Sequence, residues 1–259
     1  AVPTATATER GFVAERTSTS FESNSSFCAT MEIAVFGATG GTGNQFVAQA
    51  TGAGHHLRAL TRSPEKLSGW DAVVPVEGNV LDPGDALRTV EGADAVVCIL
   101  GRTKNNPADV VSQGTARILD AMQQHDVRRL VVVTSIGLGA SVTNLPWYGR
   151  LANATVLQDL MADKARQEEL VMQSRLDWTI VRPGGLTDGS RTGDYVHGAD
   201  LDAEAAPIPR ADVADFLLTV LERDLYVRKA PLVTTREGVD LAFLWQQMRD
   251  VTTRLLWGA

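Results

Sequence analysis

From Met31 onward this sequence predicts a doubly wound α/β fold, a parallel sheet covered by helices on both faces. Three observations predict it. Short apolar runs rich in Val and Ile recur along the chain, longer amphipathic segments alternate with them, and three glycines spaced three apart follow the first run directly. Consecutive apolar positions, rather than alternating ones, mark strands buried on both faces.

The strands are expected at 33–36 (IAVF), 57–60 (LRAL), 73–76 (VVPV), 95–100 (AVVCIL), 130–134 (LVVVT) and 178–181 (WTIV). Helices are expected between them. Asn44–Ala53 follows the glycines. Pro83–Val90 opens on Asp82-Pro83, a capping residue followed by proline at the first helical position. Pro107–His125 begins the same way behind Asn106 and carries Val110, Val111, Ile118, Leu119 and Met122 at helical spacing. Val156–Ser174 and Ala211–Glu222 complete the set, with Trp147 and Tyr148 in a proline-containing loop between the fifth strand and the first of these. At 240–257, Leu241, Leu244, Trp245, Met248, Val251 and Leu255 form a stripe that packs on the domain or, alternatively, meets a second copy or a partner.

Composition narrows the function. The chain has 259 residues, 44% hydrophobic and 21% charged, enough for one large buried core. Its formal net charge of -7 and the lack of any basic run give no electrostatic footing for nucleic acid or an anionic membrane surface. No apolar stretch reaches the roughly 20 residues that a membrane-spanning helix requires. Two cysteines, Cys28 and Cys98, do not make a disulfide framework, and a reducing compartment such as the cytoplasm is expected. Residues 1–30 are rich in Ser and Thr without apolar periodicity and read as a leader or disordered segment ahead of a domain spanning 31–259. A plastid transit peptide is the alternative origin, against which Glu9, Glu15 and Glu22 argue. The four histidines have no paired spacing, so no metal site is expected; His55 and His56 read as solvated loop residues and His125 as a helix-end cation.

The glycine cluster FGATGGTG lies between the first strand and the first helix of a βαβ unit, the setting in which a Rossmann-type fold seats a dinucleotide. Free N–H groups at a helix start, together with the positive end of its dipole, suit a diphosphate. Gly37 would permit the tight turn, Gly40 the close approach of backbone to phosphate, and Gly43 the close packing of the helix. Where an NAD site usually ends its second strand in Asp or Glu, this chain has Arg62, with Lys66 four residues later. A guanidinium grips a 2′-phosphate and a carboxylate repels it, so NADP(H) is expected over NAD(H).

GATGGTG, LTRSPEKL, VEGNVLDP, AVVCILG, VVVTSIG and DWTIVRPGGLTDG together resemble the atypical short-chain dehydrogenase/reductases. They are most similar to the branch that holds biliverdin-IXβ (flavin) reductase and the NmrA-like proteins. The resemblance runs from about Met31 to Thr234 and implies roles for particular positions. Gly37, Thr39, Gly40, Gly41, Thr42 and Gly43 would hold the diphosphate, and Arg62 and Lys66 the 2′-phosphate. Asn79 and Val80 would border the adenine, with Asn in place of the branch's Asp. Leu100 and Gly101 would lie on the cofactor side of the fourth strand, Thr134 and Ser135 near the nicotinamide, and Pro183, Gly184 and Gly185 beside the carboxamide.

One departure from the family matters. Its usual Tyr-x-x-x-Lys is here Leu160-Met161-Ala162-Asp163-Lys164, a lysine without its tyrosine acid. Reduction of a simple carbonyl gains about two to four orders of magnitude from such an acid. A flavin, tetrapyrrole or quinone spreads charge over a conjugated system and takes its proton from water, so alignment alone serves it. The expectation is therefore an NADPH-dependent reductase of a planar conjugated acceptor, with Ser135 and Lys164 orienting the reacting ends. A non-catalytic NADP(H)-sensing regulator or assembly factor is the second reading, and a carbonyl reductase using Tyr148 the third. Arg191, Tyr195 and His197 are expected on the substrate side.

Overall fold

Alternation along the strands decides how the layers form. In β1 (Glu32–Phe36), Ile33 and Val35 point to one face and Ala34 and Phe36 to the other, and all four are buried. Ile33 and Val35 join a core with Phe46 and Val47 of α1 (Gly41–Gly52) and Phe216 and Leu217 of α6 (Arg210–Glu222). Ala34 and Phe36 join a second core with Ile118 and Met122 of α3 (Val110–Gln124) and Val171 of α5 (Gln158–Gln173). Strands sandwiched in this way need apolar side chains at every position, which is why their sequence runs are unbroken.

The computed structural model describes residues 29–103, 106–145, 147–155, 157–204 and 206–236. Most of the leader 1–30 and the helix expected at 240–257 lie outside the described residues. Strands β1, β2 (His56–Thr61), β3 (Val73–Glu77), β4 (Ala95–Cys98), β5 (Arg129–Val133) and β6 (Asp177–Pro183) are parallel neighbours in the order β3-β2-β1-β4-β5-β6. The chain winds outward through β2 and β3 and then restarts on the other side of β1 with β4. The order therefore reverses between β1 and β4, where such sheets open a crevice at their carboxyl edge.

Four short strands were not evident in the sequence. β7 (Leu186–Thr187) pairs with β9 (Ile208–Pro209) in a separate two-stranded sheet, and β8 (Val196–Gly198) closes the edge of the main one. β10 (Leu232–Thr234) runs parallel to β6 and antiparallel to β8. Two or three residues are too few to show a period.

The helices correct several boundaries. α2 (Pro83–Val90) falls where expected, with the Asp82 carboxylate accepting from the N–H of Gly84 and Asp85. The span 156–174 is cut short: α5 begins at Gln158, and a separate helix α4 (Trp147–Ala154) occupies the expected loop, so Trp147 and Tyr148 open a helix. α3 begins at Val110 rather than Pro107, and Asn106 does not cap it. The Asn106 side chain instead accepts a 2.8 Å hydrogen bond from Arg62. His55, expected in solvent, is 1% exposed. Its Nδ1 accepts the Met31 N–H, which leaves Nε2 to donate to Glu222 and fastens the start of β1 to the end of α6. His56 and His125 are exposed.

Candidate active site

The turn after β1 is built by what it excludes. Gly37 has φ +92°, and a Cβ there would stand 2.4 Å from the carbonyl oxygen of Ile99, where the chain leaves β4. A Cβ on Gly43 would stand 2.1 Å from the Gly37 oxygen. The chain's own packing therefore requires glycine at both positions. Gly40 differs: a Cβ there would be 3.4 Å from its nearest neighbour, an ordinary contact. Gly40 is the N-cap of α1, no side chain caps it, and the first turn carries no acid. Thr42 is buried, Thr39 half-buried, and Gly40 and Gly41 are exposed. A free helix start, uncapped and without a competing carboxylate, is open to an anion.

The other expected residues lie around this turn. Arg62 and Lys66 are both exposed just past the end of β2, Lys66 in a short 3-10 turn (Pro64–Leu67). The Asn79 side-chain oxygen accepts from the Leu81 N–H, and the Asn79 N–H donates to Asp85. Val80 and Leu100 converge on α3, where a Cβ on Gly114 would press on both. Gly101 is exposed, and β4 ends at Cys98, two residues earlier than expected. At the end of β6, the Pro183 oxygen accepts from Ile136 N–H, and the Gly185 oxygen from Ile208 N–H. A Cβ on Gly184 would meet the Ala206 oxygen at 2.1 Å, so internal packing also explains that glycine.

Beyond β5 lies a buried polar seam that sequence reasoning missed. The Lys164 ammonium donates to the carbonyl of Thr134 at 3.1 Å and reaches that of Val133 at 3.5 Å. Thr134 Oγ1 donates to Glu168, which also takes a bidentate grip from Arg182 at 2.9 and 2.6 Å. The Arg182 side chain is 8% exposed and that of Glu168 3%. Asp163, fully buried, accepts from the N–H of Val111 and Ser112 and from the Ser112 hydroxyl, and so caps α3 from a neighbouring helix. Gln167 donates to Thr115 and to the Cys98 sulfur. Burial pushes the Lys164 ammonium down from its ordinary 10.5 to about 8, although Cys98, Glu168 and Asp163 pull it back up. Burial raises the Cys98 thiol. Ser135 follows Thr134 half-buried. One signal was available: 163, 164, 167 and 168 share the helical stripe of the apolar Met161 and Val171.

The residues expected on the substrate side are engaged elsewhere. Tyr195 donates to Asp215 of α6, Arg191 forms an ion pair with the same carboxylate, and His197 Nδ1 pairs with the Tyr226 hydroxyl at 2.6 Å. His197 also stacks on Phe216. These contacts fasten the 191–197 segment to α6 and its neighbours. Burial lowers the His197 imidazole and raises the Tyr195 phenol. Among the described residues no group of three His, Cys, Asp or Glu could hold a metal, and no helix is long and apolar enough to cross a membrane.

A switch-point turn of this kind, opening an uncapped helix at the carboxyl edge of a parallel sheet, defines a dinucleotide-binding protein of the Rossmann class. The profile of the NAD(P)H-binding family matches residues 37–224, and the chain belongs to that family, as an atypical short-chain dehydrogenase/reductase. It is 30% identical over 207 residues to an uncharacterized chloroplastic protein of Arabidopsis thaliana, covering 74% of this chain and 72% of that one. It is 28% identical over 222 residues to the photosystem II assembly factor Ycf39 of Synechocystis, covering 80% of this chain and 63% of Ycf39. To TIC 62 of Pisum sativum it is 26% identical, covering 66% of this chain and 35% of TIC 62. The chain thus spans less than two thirds of Ycf39 and TIC 62. Among solved structures, ChuY, an anaerobillin reductase of Escherichia coli, superposes with a TM-score of 0.69 at 21% identity over 80% of this chain and 98% of that one. A short-chain dehydrogenase/reductase of Veillonella parvula in complex with NADP gives 0.68 at 19% identity over 82% and 100%. At these identities both show the fold alone.

Proposed function

We propose that the protein is an NADPH-dependent reductase of a planar conjugated acceptor, a flavin, a tetrapyrrole or a quinone. The observation that carries the reading is the buried seam beyond β5. It holds a buried lysine, and one turn before that lysine stands Leu160 in place of a phenol. The chain has three tyrosines, and the hydroxyls of Tyr195 and Tyr226 are engaged with Asp215 and His197. The fit to a dinucleotide rests on Gly40, an exposed glycine that no neighbouring atom requires, at a helix start free of acids.

When bound, the nicotinamide supplies a hydride. The chain's own groups do the rest. The backbone amides of Gly41, Thr42 and Gly43, with Thr39 and the turn at Gly40, would hold the diphosphate; Arg62 and Lys66 would take the 2′-phosphate; Asn79, Val80, Leu100 and Gly101 would border the adenine side. Pro183, Gly184 and Gly185 shape the carboxamide end, and Thr134 and Ser135 face the nicotinamide. Lys164, anchored on the Thr134 carbonyl, contacts the ribose and keeps a positive charge at the reacting end below about pH 8. The residues 31–259 act as one unit.

Similarity to Ycf39 and TIC 62 supports the second reading, a regulator or assembly factor that senses NADP(H) without turnover. The relatives named chloroplastic favour the plastid over the cytoplasm as the place of work. One experiment separates the readings: purified protein is mixed with NADPH and FMN, a biliverdin or a quinone, and loss of NADPH absorbance is followed. Turnover supports the reductase. Tight NADPH binding without turnover on any acceptor supports the sensor. Turnover confined to simple ketones and lost in Tyr148→Phe supports a carbonyl reductase. In the same material Arg62→Asp is expected to weaken NADPH roughly 10-fold or more while sparing NADH, and equal effects on both would remove the cofactor preference.

A further inference from the structure

The residue that opens α6 stands at the start of α1. A Cβ on Gly41 would lie 2.8 Å from Arg210 Cδ and 2.9 Å from its Nε, so the arginine stem lies directly over the first residue of the uncapped helix. The placement is not incidental to a mobile side chain. α1 packs along α6, and Gln49 of α1 donates to the carbonyl of Ala211, the residue after Arg210. The Arg210 side chain is mostly buried, at 19% exposed, so its charge is confined to this corner.

What holds that charge is a weak partner. Arg210 Nη1 donates to Asp188 Oδ1 at 2.5 Å, but the Asp188 side chain is 80% exposed. A carboxylate so fully hydrated contributes little to a pair. The neighbouring clips on α6 are of another kind. Asp212, fully buried, accepts from the N–H of Thr192 and Gly193 and from the Thr192 hydroxyl, and Asp215 takes Arg191 and Tyr195. Of the three clips, the one beside α1 is the one whose acid lies in water, and its cation faces an anion-ready helix start. A diphosphate offers a guanidinium fork two charges where Asp188 offers one.

We propose that Arg210 is a further cofactor-binding residue, a clamp on the diphosphate that Asp188 holds in reserve and gives up when the dinucleotide arrives. This rests on the reading of α1 as the diphosphate cradle. Arg210 lies against Gly41 at the first turn of α1, and it reaches that turn from 169 residues further along the chain, a distance no local motif spans. Because the diphosphate is common to both nicotinamide dinucleotides, the clamp serves them equally, unlike Arg62.

The test is calorimetric titration of the full chain with NADP(H) and, separately, NADH. Arg210→Met keeps the stem and removes the charge; it is expected to weaken both ligands roughly 10- to 100-fold, and by the same factor. Asp188→Asn removes the competitor and is expected to tighten both by about 2- to 5-fold. The double variant is expected to bind like Arg210→Met. Wild-type binding with both single variants unchanged overturns the clamp and leaves the cradle intact, as does a loss confined to NADP(H). If the wild type takes up neither ligand, the cradle reading itself fails. Should Arg210→Met not fold, Asp188→Asn decides alone: tighter binding supports the clamp, and unchanged affinity overturns it.

Discussion

The turn before α1 and the seam under α5 both sit at the carboxyl edge of the sheet, and they are made of opposite materials. The turn is seven consecutive residues of mostly backbone, where glycines keep atoms out and N–H groups are left free. The seam is side chains from four elements, Thr115 of α3, Asp163 to Glu168 of α5, Thr134 beyond β5 and Arg182 of β6, tied by charged hydrogen bonds away from water. The turn leaves donors unsatisfied. The seam satisfies its own charges. Free donors are open to solvent and cost little, whereas a buried charge is tolerable only with its partner in place.

The contrast breaks most sharply at Glu168. Glu168→Leu leaves the Arg182 guanidinium buried without its carboxylate, and the expected loss is about 3–5 kcal/mol of stability. In a domain of this size that is a fall in melting temperature of roughly 10 °C or more. Replacing both partners, Glu168→Leu with Arg182→Met, should recover most of the loss, because an apolar pair of similar volume avoids the desolvation cost altogether. Thermal unfolding of the two variants checks this. A single variant that melts with the wild type would mean that the seam is hydrated, and the comparison would lose its meaning.

Legibility follows the same division. The turn could be read because its requirements are local: positive φ at Gly37 and close approach at Gly43 each demand glycine within one short window, with a strand before and a helix after. The six parallel strands could be read because each is buried on both faces. The seam was hidden because its partners are 14 to 52 residues apart and because charged residues on a helix normally mark the solvent side. Leu160 and Lys164 were noticed only through the family's pattern, and Asp163, Gln167, Glu168 and Arg182 not at all. The partners of Arg191, Tyr195 and His197 were hidden likewise, since Asp215, Tyr226 and Phe216 lie 19 to 29 residues further along the chain.

Lys164 sharpens the comparison, since it belongs to the seam and, in the proposed function, also serves the site. Its folded pKa of about 8 lies below the ordinary 10.5, so the folded state disfavours its charge. Below about pH 8 both states hold the proton, and the cost is fully present. Between pH 8 and 10.5 the unfolded chain binds more protons, and stability rises with pH across that window. Lys164→Met should flatten the rise and add up to about 3 kcal/mol at pH 7, at about 1.4 kcal/mol per pH unit. In the wild type, turnover should decline above about pH 8 as the charge is lost; in the variant it should be low throughout. Urea unfolding against pH, beside a pH–rate profile, reads both. A variant that loses stability at pH 7 would make the lysine a structural strut instead of a functional cation held at a cost.

The finest division lies within the turn itself, between two glycines three residues apart. Alanine at Gly43 drives a methyl group to 2.1 Å from the Gly37 oxygen, backbone that cannot swing aside. The expected cost is about 1–3 kcal/mol, with ligand affinity falling because the turn is displaced. Alanine at Gly40 meets its nearest neighbour at 3.4 Å, so the fold should be indifferent to within about 0.5 kcal/mol. Its methyl group would instead occupy the approach to the helix start, and NADPH affinity should drop roughly 10-fold, about 1.4 kcal/mol of binding. Melting curves with titrations on the two variants separate a glycine kept for the chain from one kept for the ligand. If Gly40→Ala binds like the wild type, the phosphates approach elsewhere along the turn, and the free amides of Gly41 and Thr42 become the ones to examine.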